Sequence, residues 1–179
     1  MIHLLKYDGV IPAAKPLGQL LAQAVTQLHL TPENGQLALV PVPLHSSKRR
    51  ERQFNQSELI ARAALKHLPP NFELDSKVLI RQRETHSQVG LDREARIRNM
   101  SGAFKVVGRQ RIQGRTLVVV DDVMTTGTTV SECARVLKRG GAAMVFAATV
   151  ARTLKSADAT AITHEFEGEE AGATQLASV

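Results

Sequence analysis

Cysteine and aromatic residues are scarce in this chain of 179 residues. The single cysteine, Cys133, excludes a disulfide or a cysteine-based zinc site within the chain. With no tryptophan, one tyrosine and five phenylalanines, the chain offers few aromatic faces on which nucleic acid bases could stack. The six histidines are scattered without helical metal-ligand spacing, so no transition-metal site is predicted. We therefore expect Cys133 to be an ordinary packed side chain.

Long hydrophobic runs are also missing. No stretch approaches the roughly 18 apolar residues of a membrane helix, and residues 1–5 are too short for the core of a signal peptide. These features predict a cytoplasmic protein without membrane insertion. The length and the 43% hydrophobic content suit one domain with a real core. We predict that this domain spans residues 1–155, followed by a weakly ordered acidic tail over residues 156–179, which hold five acids and no Lys or Arg.

Positive charge is concentrated in the middle of the chain. The formal net charge is +6, and residues 45–115 hold sixteen Lys and Arg against seven Asp and Glu. A basic zone of this kind suits a polyanionic small ligand and suits nucleic acid equally well. Charge alone does not choose between these two partners.

The most informative segment is TLVVVDDVMTTGTT, residues 116–129. Its unbroken β-branched and aliphatic start predicts a central parallel strand that ends at Asp121 and Asp122. Ligands of open α/β sheets bind outside the carboxyl ends of the strands, so both carboxylates are expected at a ligand site. The turn that follows can wrap an anion with backbone N–H groups and hydroxyls. Its residues are Thr125, Thr126, Gly127, Thr128 and Thr129.

The helix predicted over residues 130–139 places this turn at a helix N-terminus, where the dipole also favours an anion. The two carboxylates would repel that anion, so they are expected to serve hydroxyls or a hydrated cation nearby. A phosphorylated sugar with Mg²⁺ fits both requirements. The alternative is structural, because a buried strand, an Asp turn and a threonine N-cap often occur together in α/β proteins. The P-loop lysine and a G-x-G-x-x-G turn are both missing, which argues against the usual nucleotide sites.

Two further segments carry candidate residues. Residues 81–99 hold five arginines and could close over a bound polyphosphate, with Arg81, Arg83 and Arg96 as candidate catalytic groups. The alternative is a solvated helical turn over residues 91–99 with Asp92–Arg96 and Glu94–Arg98 pairs.

Residues 41–56 leave the first core strand and offer hydroxyls and positive charge, with His45, Ser46 and Lys48 as candidate ligands of an anion. Here the alternative is a plain basic surface loop.

The order of the predicted elements indicates an α/β domain with a mainly parallel sheet flanked by helices. Helices are predicted over residues 15–30, 55–67 and 130–139, and strands over 36–43, 77–80, 115–120 and 142–150. Residues 102–107 and 115–120 are candidates for neighbouring strands, and residues 44–52 are predicted to be a basic loop.

The 116–129 segment resembles the phosphoribosyl pyrophosphate (PRPP) signature of type I phosphoribosyltransferases. The resemblance implies the type I phosphoribosyltransferase fold with a flexible hood over residues 81–99. It also implies that Asp121 and Asp122 take the ribose hydroxyls, directly or through Mg²⁺, and that residues 125–129 hold the 5′-phosphate.

Three motifs extend the resemblance to the ComF family of competence-associated proteins, which includes GntX-type members, over about residues 4–150. They are the 41–56 segment, Thr85-x-x-Gln88, and Arg96-x-x-Asn99-x-x-x-Ala103-Phe104. The chain lacks the four-cysteine zinc segment typical of this family, and Gln53 stands where the family pattern usually has glycine.

The resemblance implies transfer of phosphoribosyl from PRPP to a nitrogen acceptor with release of pyrophosphate, and it does not identify the acceptor. The alternative is a non-catalytic protein that binds PRPP, a nucleotide or single-stranded DNA in competence and DNA uptake. Single-stranded DNA, the competence machinery and a second copy of the chain are the partners left open.

Overall fold

A five-stranded parallel sheet forms the centre of the computed structural model, which describes residues 2–7, 10–30, 35–85, 93–152 and 176–178. The strands lie in the order β2-β1-β5-β6-β7. Their bounds are β1 Leu37–Pro41, β2 Phe72–Leu74, β5 Thr116–Met124, β6 Met144–Arg152 and β7 Leu176–Ser178. The α/β class and the mainly parallel sheet predicted from the sequence are confirmed.

Six α-helices are present in the described part of the chain. They are α1 Ile2–Tyr7, α2 Ala14–Gln27, α3 Ser46–Arg52, α4 Gln56–Ala64, α5 Arg93–Met100 and α6 Thr128–Arg139. Short 3-10 helices precede α2, follow α4 and precede β5. The predicted helices over residues 15–30, 55–67 and 130–139 are therefore confirmed within a few residues at each end. Among the described residues, no helix is long and apolar enough to cross a membrane.

Each face of the sheet is covered by its own hydrophobic cluster. Alternate residues of a strand point to opposite faces, so Val118 and Val120 of β5 join the cluster under α2 and α4. Leu117 and Val119 join the other cluster, which includes Cys133 and Leu137 of α6. Cys133 is fully buried, as expected for a packed side chain. The site therefore rests on a strand buried on both faces.

A separate two-stranded antiparallel sheet lies beside α6. It consists of β3 Leu79–Arg81 and β4 Phe104–Val106. The prediction that residues 102–107 and 115–120 are neighbouring strands is wrong, because β4 pairs with β3 while β5 pairs with β1 and β6. Both segments have strand-like composition, and composition does not specify a partner.

One predicted boundary and one predicted loop also differ from the structure. Residues 46–52 form helix α3 and not the predicted basic loop, because the His45 side chain caps the helix by accepting from the Ser47 N–H. Strand β5 continues past Asp121 to Met124, because β6 pairs with it as far as Arg152. Strand β7 lies within the predicted tail and pairs with β6, while residues 153–175 lie outside the described residues.

Candidate functional site

At the end of β5, its two neighbouring strands stop at different positions, and the two candidate carboxylates therefore have different surroundings. Strand β1 pairs with β5 only as far as Val120, whereas β6 continues to Met124. Asp121 and Asp122 therefore lie beyond the reach of β1, at the carboxyl edge where ligands of parallel sheets bind.

Asp121 is half-buried and lines a small pocket of about 20 Å³ together with the turn that follows the strand. Ser57, in the first turn of α4, donates a hydrogen bond across 3.3 Å to Oδ1 of Asp121. The same Oδ1 accepts from the backbone N–H of Asp122 at 3.0 Å. These two hydrogen bonds fix the orientation of the Asp121 carboxylate, which still faces the pocket.

Asp122 has a different role in the structure. Its side chain is only 7% exposed, it is absent from the lining of the pocket, and its Oδ1 accepts from the N–H of Val123 at 2.7 Å. The alternation of side chains along a strand explains why neighbouring carboxylates differ in this way. The structure therefore brings Asp121, and not Asp122, to the candidate phosphate turn.

The turn over residues 125–129 has the geometry expected of an anion cradle. Gly127 has φ 74° and stands at the N-cap of α6 without a side-chain capping hydrogen bond. The hydroxyls of Thr126 and Thr128 lie 2.9 Å apart and the pocket is lined by the whole turn. Helix α6 begins here, so its first N–H groups and its dipole meet at the pocket.

The donor set suits Mg²⁺ better than a transition metal. Among the residues described, no group of three or more His, Cys, Asp or Glu side chains is arranged to hold a metal ion. Mg²⁺ in phosphate sites is usually held by one or two carboxylates, waters and substrate oxygens, so a single pocket carboxylate fits it. Asp121 is the residue that would hold it.

Arg81 reaches this region from the end of β3. Burial lowers the pKa of Arg81 below its ordinary value, while Cys133, Asp121 and Glu84 act against that shift. Its guanidinium lies 5.6 Å from the centre of the Phe104 ring and donates to the hydroxyl of Thr85. The buried Nε has no hydrogen-bond partner among the described atoms. Arg81 is therefore a cation fixed by Phe104 and Thr85 that interacts electrostatically with Asp121.

The other two candidate arginines differ from Arg81. Arg83 is exposed and donates to the carbonyls of Asn99 at 2.7 Å and Ser101 at 2.9 Å, so it ties β3 to the end of α5. The side chain of Arg96 and residues 86–92 lie outside the described part of the structure, so the predicted closure of the hood is not tested. The Glu94–Arg98 pair proposed as the structural alternative is present at 3.3 Å on the surface of α5.

The basic segment after β1 lies at the same carboxyl edge as Asp121, because β1 and β5 are parallel neighbours. His45 and Lys48 are half-buried and Ser46 is exposed. Gln53 closes α3 in the left-handed region with φ 63°. Glycine adopts this conformation without strain, which explains physically why the family pattern has glycine there.

A carboxylate already contacts this basic segment. The hydroxyl of Ser47 donates to Oε1 of Glu84 at 2.6 Å, and Nδ1 of His45 lies 3.8 Å from Oε2 of the same side chain. Glu84 follows β3 by three residues, so the contact joins the start of the predicted hood, residues 81–85, to the segment after β1.

A second basic surface lies between the two-stranded β3-β4 sheet and the C-terminal half of α6. This basic groove has a volume of about 500 Å³ and is lined by Gln82, Phe104, Lys105, Val106, Arg109, Arg135, Val136, Arg139 and Gly140. Arg135 is paired with Glu132 through two hydrogen bonds of 2.7 and 2.6 Å. Lys105, Arg109 and Arg139 are exposed, and their side chains make no hydrogen bond or ion pair within the described residues.

Sequence reasoning missed Ser57, Glu84 and the basic groove. The spacing Asn55-x-x-Glu58 marks a helix start, and so placed Ser57 in a first turn without indicating that it reaches β5. Glu84 lay inside a segment chosen for its arginines. The groove combines residues from β4, the following turn and α6, and no sequence window contains all of them.

Comparisons with known proteins agree with the geometry. A model of the phosphoribosyl transferase domain matches residues 56–165, which is more than half of the chain. DNA utilization protein YhgH of Escherichia coli K12 is 39% identical over 157 residues, covering 86% of this chain and 66% of that protein. Competence protein F of Haemophilus influenzae is 30% identical over 148 residues, covering 79% of this chain and 62% of that protein.

Both relatives are therefore longer than the matched region, and the chain spans just under two thirds of their length. A hypoxanthine phosphoribosyltransferase structure from Staphylococcus aureus aligns with 94% of this chain and 74% of that one at 12% identity and a TM-score of 0.50, which supports the fold alone. The type I phosphoribosyltransferase fold predicted from the sequence is confirmed. The chain belongs to the phosphoribosyl transferase domain family, within the group that includes DNA utilization protein YhgH and Competence protein F.

Proposed function

We propose that this protein binds PRPP at the carboxyl edge of its sheet and transfers the phosphoribosyl group to a nitrogen acceptor. The observation that carries the proposal is the pocket in which Asp121 and the uncapped N-terminus of α6 lie side by side. A carboxylate next to an anion cradle fits a ligand that has hydroxyls and a phosphate on one small frame.

Each part of the ligand has a matching group. The turn over residues 125–129 would hold the 5′-phosphate through N–H groups and threonine hydroxyls. Asp121 would take ribose hydroxyls or Mg²⁺, and bound Mg²⁺ would neutralise charge on the pyrophosphate. His45, Ser46 and Lys48 lie where the pyrophosphate would extend along the edge toward β1.

The chemistry needs positioning and charge more than proton transfer. The acceptor nitrogen forms a bond to C1′ of the ribose, and the bond from C1′ to pyrophosphate breaks with its electron pair leaving on pyrophosphate. Arg81, held by Phe104 and Thr85, would stabilise that developing charge. Arg83 would act indirectly, because its hydrogen bond to the carbonyl of Asn99 holds α5 to the segment after β3.

Thermal unfolding with PRPP, with and without Mg²⁺, tests the proposal. A ligand at about 100 times its Kd adds about 2.7 kcal/mol of stability, which raises Tm by several degrees in a chain of this size. We expect a rise that requires Mg²⁺ and exceeds the rise with ribose 5-phosphate or pyrophosphate alone. No rise with PRPP at millimolar concentration would contradict the proposal.

Single-stranded DNA is a second candidate ligand, favoured by the basic groove. Three exposed cations whose side chains make no ion pair within the described residues line it, and these could neutralise successive phosphates. The relatives named for DNA utilization and competence agree with such a ligand. The first groove residue on α6 is Arg135, which lies seven residues, or about 10 Å, along the helix from Thr128 at the PRPP turn. Both ligands could therefore be bound by one molecule.

Binding of a fluorescent oligo-dT at several salt concentrations tests this second candidate. Substituting Arg109→Glu together with Arg139→Glu should weaken binding and reduce the salt slope by about one for each phosphate that is no longer neutralised. The matched control is Lys15→Glu together with Lys66→Glu, which makes the same change in net charge at two exposed positions, on α2 and beyond α4, on the opposite face of the sheet. An equal loss of affinity in the control would show that net charge, and not the groove, binds DNA.

A further inference from the structure

The candidate pyrophosphate segment holds an anion that belongs to the chain itself. The carboxylate of Glu84 accepts a 2.6 Å hydrogen bond from Ser47 and lies 3.8 Å from Nδ1 of His45. These residues flank the start of α3, directly after β1, where the pyrophosphate of PRPP is proposed to lie. One carboxylate therefore contacts the groups that a phosphate oxygen would use.

The surrounding charges favour the ionised form of Glu84. The hydrogen bond from Ser47 is the main reason that the pKa of Glu84 is lowered, and the charges of Lys48 and Arg81 add to it. Glu84 thus carries a negative charge at neutral pH, and it interacts electrostatically with basic residues from two separate segments of the chain.

We infer that Glu84 is an internal competitor for the pyrophosphate subsite, which PRPP or pyrophosphate must displace in order to bind. The inference rests on the proposed function, because it concerns the regulation of the same site. A bound pyrophosphate and the Glu84 carboxylate would repel each other and would compete for the hydroxyl of Ser47. Displacement moves Glu84 away and leaves its cations to the ligand.

Displacement of Glu84 would also affect residues 81–85, the start of the predicted hood. Glu84 is adjacent to Thr85, and Thr85 accepts from the guanidinium of Arg81. Release of Glu84 frees one end of this short segment, so occupancy of the pyrophosphate subsite is linked to the position of Arg81. The leaving group would in this way prepare the cation that stabilises it.

The test measures pyrophosphate binding by calorimetry at fixed ionic strength for the natural protein and three variants. Glu84→Gln keeps a hydrogen-bond acceptor for Ser47 and removes the charge, while Glu84→Ala removes both. Glu51→Gln is the matched control for charge, because Glu51 is exposed on α3 and its side chain makes no hydrogen bond or ion pair within the described residues. Ribose 5-phosphate is the second probe, since it needs only Asp121 and the cradle at α6 and carries no pyrophosphate.

We expect both Glu84 variants to bind pyrophosphate about two- to fivefold more tightly than the natural protein, a size set by the modest strength of exposed charge pairs. Ribose 5-phosphate affinity should not change, and Glu51→Gln should have a smaller effect on pyrophosphate. An equal gain in Glu51→Gln would reveal a general charge effect and overturn the inference.

The remaining outcomes separate this inference from the proposed function. If the natural protein binds pyrophosphate and both Glu84 variants bind it equally or more weakly, the competitor role is wrong and the PRPP site stands. If neither the natural protein nor any variant binds pyrophosphate, ribose 5-phosphate or PRPP, the proposed function fails and the inference fails with it.

Discussion

Ser57 donates a hydrogen bond to Oδ1 of Asp121 across 3.3 Å, and so connects the first turn of α4 to the open side of β5. The connection exists because β1 stops pairing at Val120 and leaves that side of the strand to another element. The capping side chain of Asn55 holds the same turn, since it accepts from the N–H of Ser57 and donates to the carbonyl of Val42. The carboxylate that faces the pocket is therefore oriented from a neighbouring helix.

Removing this hydroxyl should loosen Asp121 without disturbing the phosphate turn. We expect Ser57→Ala to weaken Mg²⁺-dependent PRPP binding about threefold to tenfold, the size of one hydrogen bond. Binding of inorganic phosphate, which needs only the turn, should stay unchanged, and Ser57→Thr should restore most of the affinity for PRPP because it keeps the hydroxyl. Titration of the Tm shift with Mg²⁺ measures the effect, and an equal weakening for both probes would point to local unfolding instead.

The two carboxylates should be separable by mutation. Substituting Asp121→Asn and Asp122→Asn together should abolish PRPP binding, and Asp121→Asn alone should account for most of the effect because only Asp121 lines the pocket. Asp122→Asn should act mainly on stability, since Asp122 is buried and bonded to the backbone of Val123. Isothermal calorimetry with PRPP and Mg²⁺, alongside urea unfolding, distinguishes the two. Full PRPP affinity in the double variant would refute the site.

Gly127 should be required for its backbone conformation. Its φ of 74° is one that side chains rarely adopt, so Gly127→Ala should cost about 1–2 kcal/mol of unfolding free energy. Gly35→Ala is a matched control, because Gly35 has φ 73° in open space away from the site. Both should lose stability in chemical denaturation, and only Gly127→Ala should weaken ribose 5-phosphate binding, by about tenfold or more. Equal ribose 5-phosphate affinity in the two variants would show that the turn does not bind the phosphate.

Replacing Gln53 by glycine should stabilise the protein, although glycine usually destabilises a helix. Because Gln53 has φ 63°, Gln53→Gly should raise the unfolding free energy by up to about 1 kcal/mol. Gln23→Gly, at an exposed position inside α2, should lower it by about 1 kcal/mol. Urea midpoints at equal m-values measure both. A loss of stability in Gln53→Gly would show that the Gln53 side chain contributes more than the backbone strain costs.

Cys133 should make stability depend on pH in the alkaline range. Burial, aided by the charge of Asp121, raises the pKa of the Cys133 thiol well above its ordinary value, so the folded state keeps the thiol neutral. The unfolded thiol ionises near pH 9, so the contribution of this group is present below that pH and is lost as pH rises. We expect the unfolding free energy of the natural protein to fall more steeply above pH 9 than that of Cys133→Ala.

Thiol reactivity gives an independent check of the same feature. The folded protein should react with an aromatic disulfide reagent only as fast as it unfolds, because Cys133 is fully buried. Parallel pH profiles for the two proteins, or rapid labelling of folded protein, would contradict the burial that the structure shows.

What could be predicted from the sequence is local. The run of aliphatic residues before Asp121 specifies a buried strand, the turn with Gly127 specifies a helix start, and helical spacing specifies α2 and α4. Each of these depends on neighbours within a few positions, where periodicity and backbone preference act directly. These segments were enough to indicate the family and the candidate phosphate turn.

Only the tertiary structure decided which groups meet. The pairing of β3 with β4, the separation of Asp121 from Asp122, and the contacts Ser57–Asp121 and Ser47–Glu84 all join or divide residues in ways that local pattern does not encode. The last two contacts bridge 64 and 37 positions along the chain. Such contacts depend on how strands end relative to one another and on which element covers the open edge. The sequence by itself determined the strand, the turn and the family, and packing determined the arrangement of charges around them.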